Sequence, residues 1–322
     1  MTQCNDFDMT EAGRALGHDF YTLSLLVKKS NWPSVVQEGF DAAAHAGLHR
    51  HRSDRFVAKW LQLRLGAWRR GRGVAQDVTP HLLREIDVDR CPITRQPLTH
   101  GTTQDTDWSV DRLNNDAAYA ASNLAVMSVK ANRAKGRLGF EQVHLKATVG
   151  ESLDGLMPSE WLRLAVLMLG PAFATRPHDA PLLPLCAPLP TRSVRLASQQ
   201  VQRLLTVHCS SHTGKNMLIR AFGHACHGDT ARFRLSHLAA TVHEGLKQIS
   251  PFDECWDVWL HPPVLQALAQ WMAALDQPSW AQIAAISGQL SEARRETPQR
   301  LRSWLLPSRG FVRERASYEL QP

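Results

Sequence analysis

Six prolines fall within residues 170–191, GPAFATRPHDAPLLPLCAPLPT, and no other stretch limits the fold as strongly. Proline fixes one backbone dihedral and has no amide hydrogen, so this segment supports neither a regular helix nor a central strand. It reads as a connector, and the leucines and cysteine between its prolines point to packing against a surface. The 322-residue chain is therefore divided, which agrees with a length prior of two or three domains. With 43% hydrophobic and 21% charged residues, the chain has the composition of folded protein.

Before the connector, residues 9–72 read as helices. Leu23, Leu26 and Val27 form an apolar stripe, Trp32-Pro33 marks a break, and Phe56, Val57, Trp60, Leu61, Leu63 and Leu65 predict a helix near 53–70. Arg50, Arg52, Arg55, Lys59, Arg64, Arg69, Arg70 and Arg72 accompany that helix, opposed locally only by Asp54. Such a surplus suits either phosphate contacts or a solubilising face. After the connector, amphipathic patterns predict helices at 195–207, 216–226, 235–249, 263–275 and 280–305. Trp256, Trp259, Trp271, Trp280 and Trp304 lie among them as expected core residues. Residues 88–140 are different, being short on helix signals until Ser122. The expected fold is mainly α with a small α+β insertion. It divides into a basic helical region (1–87), the insertion (88–140), a helical extension (141–169), the connector (170–191) and a helical C-terminal domain (192–322).

Several functions are set aside on chemistry. The net charge of +7 favours a polyanionic partner. Cys4, Cys91, Cys186, Cys209, Cys226 and Cys255 form no CxxC pair, and the mixed, acidic N-terminus is no secretory signal, so a cytoplasmic location is expected. The uncharged run from Val258 to Leu275 contains His261, Pro262, Pro263 and two glutamines, and no membrane span is expected. SSHTGKN (210–216) lacks the first glycine and the final Ser/Thr of a phosphate loop, and HEGLK (243–247) lacks the second histidine of a zinc-protease helix. His208, Cys209, His212, His224, Cys226 and His227 follow no zinc-module spacing and read as buried cysteines with nearby histidines.

The insertion carries the chemistry. Residues 107–113, DWSVDRL, alternate imperfectly and predict a strand; Asn114-Asn115-Asp116 predict a turn, and a second strand is expected near 117–120. A helix capped by Ser122 or Asn123 should run to Lys135 and stop at Gly136. Lys130, Arg133, Lys135 and Arg137 give it positive charge, with no acid from Asn123 to Phe140. A strand aspartate beside a helical oxygen donor would suit a hard ion such as Mg²⁺.

Cys91-Pro92-Ile93-Thr94, Pro97-Leu98, Ser109-Val110-Asp111-Arg112-Leu113, Asn115, Tyr119, Asn123-Leu124, Asn132 and Lys135 together resemble the HNH (ββα-metal, or His-Me finger) endonuclease family. The similarity is greatest to a phage-associated branch with Asp-Arg in place of Asp-His. Asn123 precedes Asn132 by nine positions and Lys135 follows by three, which are the family intervals. The resemblance implies a DNA endonuclease or nickase of a mobile element, phage or anti-phage system, with double-stranded DNA as substrate and the finger helix in its minor groove. It implies Asp111 and Asn132 as ligands of Mg²⁺ (or Mn²⁺), zinc not being expected, and Asn123 as the residue tying the connecting loop. Arg112, Lys130, Arg133, Lys135 and Arg137 would contact nucleic acid, and Asp111, Arg112, Asn123 and Asn132 would form the catalytic set.

The family's usual general base is a histidine, and this chain has Arg112, which cannot accept a proton. Three routes remain open. His100 or Tyr119 acts as base, or metal-bound water gives its proton to solvent or phosphate while Arg112 stabilises charge, or the finger binds DNA without cutting. Losing a general base costs about 10²–10⁴-fold in rate. Glycines of the family motif are replaced by Arg95 and Ala118. The C-terminal helices are a further expected platform for a protein partner, in whose complex alone a nuclease could be active.

Overall fold

The computed structural model describes residues 6–24, 29–173, 179–186, 196–251 and 253–292. Its regular structure is mostly helical, with one small two-stranded antiparallel sheet among the described residues. The chain divides into two compact units. Among the described residues, one holds those up to Asp87 together with Asp116–Leu124, and the other holds Val88–Asn115 and those from Ala125 to Glu292. Residues 116–124 cluster with the first unit, and residues 141–169 and the described helices beyond the connector with the second.

In the first unit, α1 (Asp6–Thr22) and α2 (Ser34–His45) meet at two glycines. A Cβ on Gly17 would fall 2.0 Å from the Val36 carbonyl oxygen, and one on Gly39 would fall 2.0 Å from that of Arg14. Backbone approaches backbone there, and only glycine allows it. Leu16, Phe20, Trp32, Val36 and Phe40 then close over Leu61 and Leu65 of α3 (Arg55–Arg69). Asp54 caps α3 by accepting the amides of Phe56 and Val57 and also pairs with Arg84 of α4 (Pro80–Glu85). Leu26 and Val27 lie outside the described residues.

At least five of the eight basic residues around α3 have partners within the chain. Arg50 donates to the carbonyls of Tyr21 and Ser24, Arg55 pairs with Asp87, Arg64 with Asp19, and Arg69 donates to the Asn31 carbonyl. Arg70 donates to the Tyr119 hydroxyl. The acids and acceptors come from segments distant in sequence, so these five arginines are engaged within the chain, although Arg55, Arg69 and Arg70 remain exposed.

β1 (Trp108–Arg112) pairs with β2 (Leu124–Ser128), which passes directly into α5 (Val129–Lys135); all but Leu124 belong to the second unit. Two expectations are corrected here. The second strand is not at 117–120, where Tyr119 instead makes an isolated bridge to Val74. Nor does a helix start at Ser122 or Asn123, which belong to a single 3₁₀ turn (Ala121–Asn123). β2 is buried along its whole length, and a short run buried on both faces has no period by which strand and helix can be told apart. Ser128 caps α5 by accepting the Ala131 amide, and Gly136 ends it at φ +48°.

A turn at residues 90–97 supports this end of the sheet. Cys91 donates its amide to the Gln96 carbonyl, and its Sγ lies 3.4 Å from the Thr94 amide and 3.3 Å from that of Ser128. One buried sulfur therefore fastens the turn to the start of α5. Arg95, where the motif has glycine, adopts φ +60°, and its guanidinium makes a two-pronged pair with the Asp257 carboxylate. Ala118 is not in the left-handed region, so its replacement of glycine carries no backbone strain.

Helices α6 (Phe140–Thr148) and α7 (Pro158–Phe173) follow. α7 extends over Gly170-Pro171, so the connector begins later than its prolines indicate. Its described part, residues 179–186, is irregular and buried at Leu183–Cys186, and the Leu183 carbonyl accepts from Gln199 and Gln202. A second core cluster lies among α8 (Ala197–His208), α9 (His212–Gly223), α10 (Asp229–Gln248), α11 (Pro262–Ala273) and α12 (Gln277–Glu292). Trp259 and Trp271 are fully buried and Trp256 and Trp280 pack beside them, as expected; Trp304 and the end of the helix placed at 280–305 lie outside the described residues. Cys209 and Cys226 are core residues. No helix among the described residues is long and apolar enough to cross a membrane.

Candidate functional site

Alternation along β1 puts Ser109 and Asp111 on one face and Trp108, Val110 and Arg112 on the other. Along α5, Asn132 and Lys135 are one turn apart and share a side. These two rows meet. Asn132 Nδ2 donates to Ser109 Oγ at 2.6 Å, and Lys135 Nζ lies 2.8 Å from Asp111 Oδ2. The ammonium also donates to the Arg112 carbonyl at 2.7 Å. Helix and strand are thus stitched side chain to side chain at the two positions from which the ligands were expected.

The electrostatics follow from burial. Lys135 has no exposed surface and the Asp111 side chain keeps 15%. Burial pushes the Asp111 carboxyl above the usual range, and the Lys135 ammonium pulls it back down without cancelling the effect. Lys135 therefore cannot hold a phosphate at the surface, which corrects the role that the resemblance implies for it. Arg112 is 8% exposed and donates to the Asn115 carbonyl at 3.0 Å, so its guanidinium belongs to its own turn rather than to an open face. Asn115 in turn donates to the Gly136 carbonyl.

The alternative bases each have other partners. The His100 ring packs edge-on against Trp108, 5.4 Å between centroids. Trp108 and Asp111 lie on opposite faces of β1 and three residues apart, about 10 Å along a strand. His100 is therefore separated from Asp111. Tyr119 belongs to the first unit, where it is buried against Arg70. Asn123, fully buried, donates to the Ala118 carbonyl at 2.9 Å and so closes its own loop.

The resemblance implies Mg²⁺ or Mn²⁺, and the arrangement does not fit one. The carboxylate that would bind it already holds a buried ammonium. A divalent ion about 4 Å from that ammonium would be repelled by roughly 8 kcal/mol at an effective dielectric constant of about 20. Among the described residues, no three His, Cys, Asp or Glu side chains form a group able to hold a metal ion.

Beside α5 lies an open cavity of about 670 Å³ lined by Lys130, Arg133, Arg137 and Lys146 and also by Asp105 and Asp154. Arg133 pairs with Asp105 at 2.9 Å and Lys146 with Asp154 at 2.6 Å. Lys130 and Arg137 make no ion pair among the described residues, which leaves the wall with two uncompensated positive charges. Three of these four basic residues stand out in the sequence. Lys146 does not, because α6 carries it to the cavity from outside the motif; Ser109 was visible in the motif but has no assigned role there.

No protein-family model matches the chain, and neither the curated proteins nor the solved structures compared with it include a match.

Proposed function

We propose that this chain binds double-stranded nucleic acid through phosphate contacts at α5, using a ββα finger similar to that of HNH endonucleases whose ligand carboxylate is closed by a lysine. The observation that carries the reading is the cavity walled by Lys130, Arg133, Arg137 and Lys146. A wall with two unpaired cationic groups attracts a polyanion, and side chains that reach phosphate oxygens fix position without reading bases. The joined intervals of Asp111, Asn123, Asn132 and Lys135 support the finger, and the order β1, β2, α5 is compatible with it.

Metal-dependent hydrolysis is the second reading, and Asn132 favours it. Its amide nitrogen is engaged by Ser109, which leaves the carbonyl oxygen as the group available to a cation. A partner bound to the C-terminal helices, or a mobile-element or anti-phage setting, belongs to the same reading and has the resemblance alone behind it.

Two assays separate the readings. Fluorescence anisotropy with a labelled duplex in EDTA should show binding that weakens steeply with salt. Supercoiled plasmid incubated with Mg²⁺ or Mn²⁺ should stay uncut. Absence of binding even at low salt overturns the proposal, whereas nicking that disappears in both Asp111→Ala and Asn132→Ala establishes the nuclease instead.

A further inference from the structure

We infer that the Lys135 ammonium is the finger's own resident cation: it occupies the position between strand and helix where a divalent ion would sit, so the finger assembles without metal and excludes it. The inference uses the finger reading only to name Asp111 and Asn132 as the ligand pair, and it does not depend on DNA binding.

Three observations combine. Lys135 is fully buried, and lysine is rarely so unless it is paired. Its ammonium has a carboxylate oxygen at 2.8 Å and a carbonyl oxygen at 2.7 Å, both from the end of β1. That is the bridging work of a structural cation: it draws oxygen donors of a strand onto a helix. Finally, Lys135 stands in the last turn of α5, where the helix carbonyls favour positive charge.

The charge count gives the consequence. Asp111 and Lys135 neutralise each other, and Arg112 adds a positive charge next along the strand. A divalent ion would therefore enter a site that is already net positive. Removing the ammonium reverses this. Asp111 would be left buried without its ammonium, on the strand face whose Ser109 bonds Asn132, and a hard cation of the Mg²⁺ or Mn²⁺ class would be the ligand that such oxygen donors take.

The test compares wild type, Lys135→Met and the double variant Asp111→Asn/Lys135→Met, with Mn²⁺ as the probe. The free Mn²⁺ electron-paramagnetic-resonance signal reports binding, and thermal melting in EDTA or Mn²⁺ reports stability. Wild type should leave the Mn²⁺ signal intact and melt at the same temperature in both buffers. Lys135→Met should melt lower in EDTA, bind one Mn²⁺ at least about 100-fold more tightly than wild type and recover stability on binding it. The double variant should bind none, and in EDTA it should be more stable than the single variant because no buried charge is orphaned. If Lys135→Met folds only in Mn²⁺, or only once Asp111→Asn is added, the inference stands. Stoichiometric Mn²⁺ binding by wild type that is lost in Asp111→Asn overturns it. So does a folded Lys135→Met that ignores Mn²⁺, or equal stability of the single and double variants in EDTA. Anisotropy in EDTA reads DNA binding separately, so failure of the proposed function leaves these results interpretable.

Discussion

Replacing both unpaired cationic groups of the α5 cavity, Lys130→Ala with Arg137→Ala, tests the nucleic-acid reading quantitatively. Each neutralised phosphate of B-DNA contributes about −0.9 to the slope of log K against log salt. Four contacts, from Lys130, Arg133, Arg137 and Lys146, give a limiting slope of about −3.6. Arg133 and Lys146 already face Asp105 and Asp154, so a DNA phosphate competes with a carboxylate for them. On that reading the wild-type slope should lie between about −1.8 and about −3.6, and the double variant should lose about 1.8 of it. The loss should be similar for duplexes of unrelated sequence, because phosphate contacts carry no base information. Asp105→Asn acts oppositely: it releases Arg133 and should tighten binding and steepen the slope. Anisotropy titrations at about five salt concentrations give the slopes, and circular dichroism confirms that each variant is folded. An unchanged slope in the double variant, or weaker binding in Asp105→Asn, refutes the assignment of this cavity.

Further predictions concern the scaffold. Arg95→Gly should be more stable than Arg95→Ala by about 1 kcal/mol in urea unfolding, because both lose the Asp257 pair but only alanine must hold the left-handed backbone. Gly17→Ala should destabilise by about 1–3 kcal/mol, against the usual benefit of alanine in a helix, since its Cβ would strike the Val36 carbonyl. Thr206→Val removes the acceptor 2.8 Å from buried Trp259 Nε1 and should cost about 1–3 kcal/mol by denaturant melting. Asp276 caps α12; hydrogen bonds from Ser279, then from His227, lower its carboxyl to about 2. A depressed carboxyl stabilises fully above its unfolded value and loses that contribution as pH falls from about 4 through about 2. The decline in melting temperature over that window should be smaller in Asp276→Asn.

Long periodic segments were legible because period and length agree: α3 and the helices after the connector fall where their apolar stripes put them, with starts shifted by a few residues. α10 begins at Asp229 rather than near 235, since its first turn is mostly exposed and gives no stripe. β2 was illegible because it is buried on both faces. The arginines around α3 misled because their partners, Asp19, Asp87, Asn31 and Tyr119, are remote in sequence. At the site, spacing drew attention to Asp111, Asn132 and Lys135, but charge type alone cannot say whether a lysine turns outward to a phosphate or inward to a carboxylate. That choice depends on the depth of α5 against β1, which only tertiary packing fixes.

Cys91 offers a way to watch this region breathe. Its thiol is 1% exposed and sits between two main-chain amides, so an alkylating reagent reaches it only after the 90–97 turn separates from β2. The labelling rate at this one sulfur, compared with exposed Cys255, then measures how often that edge opens under native conditions.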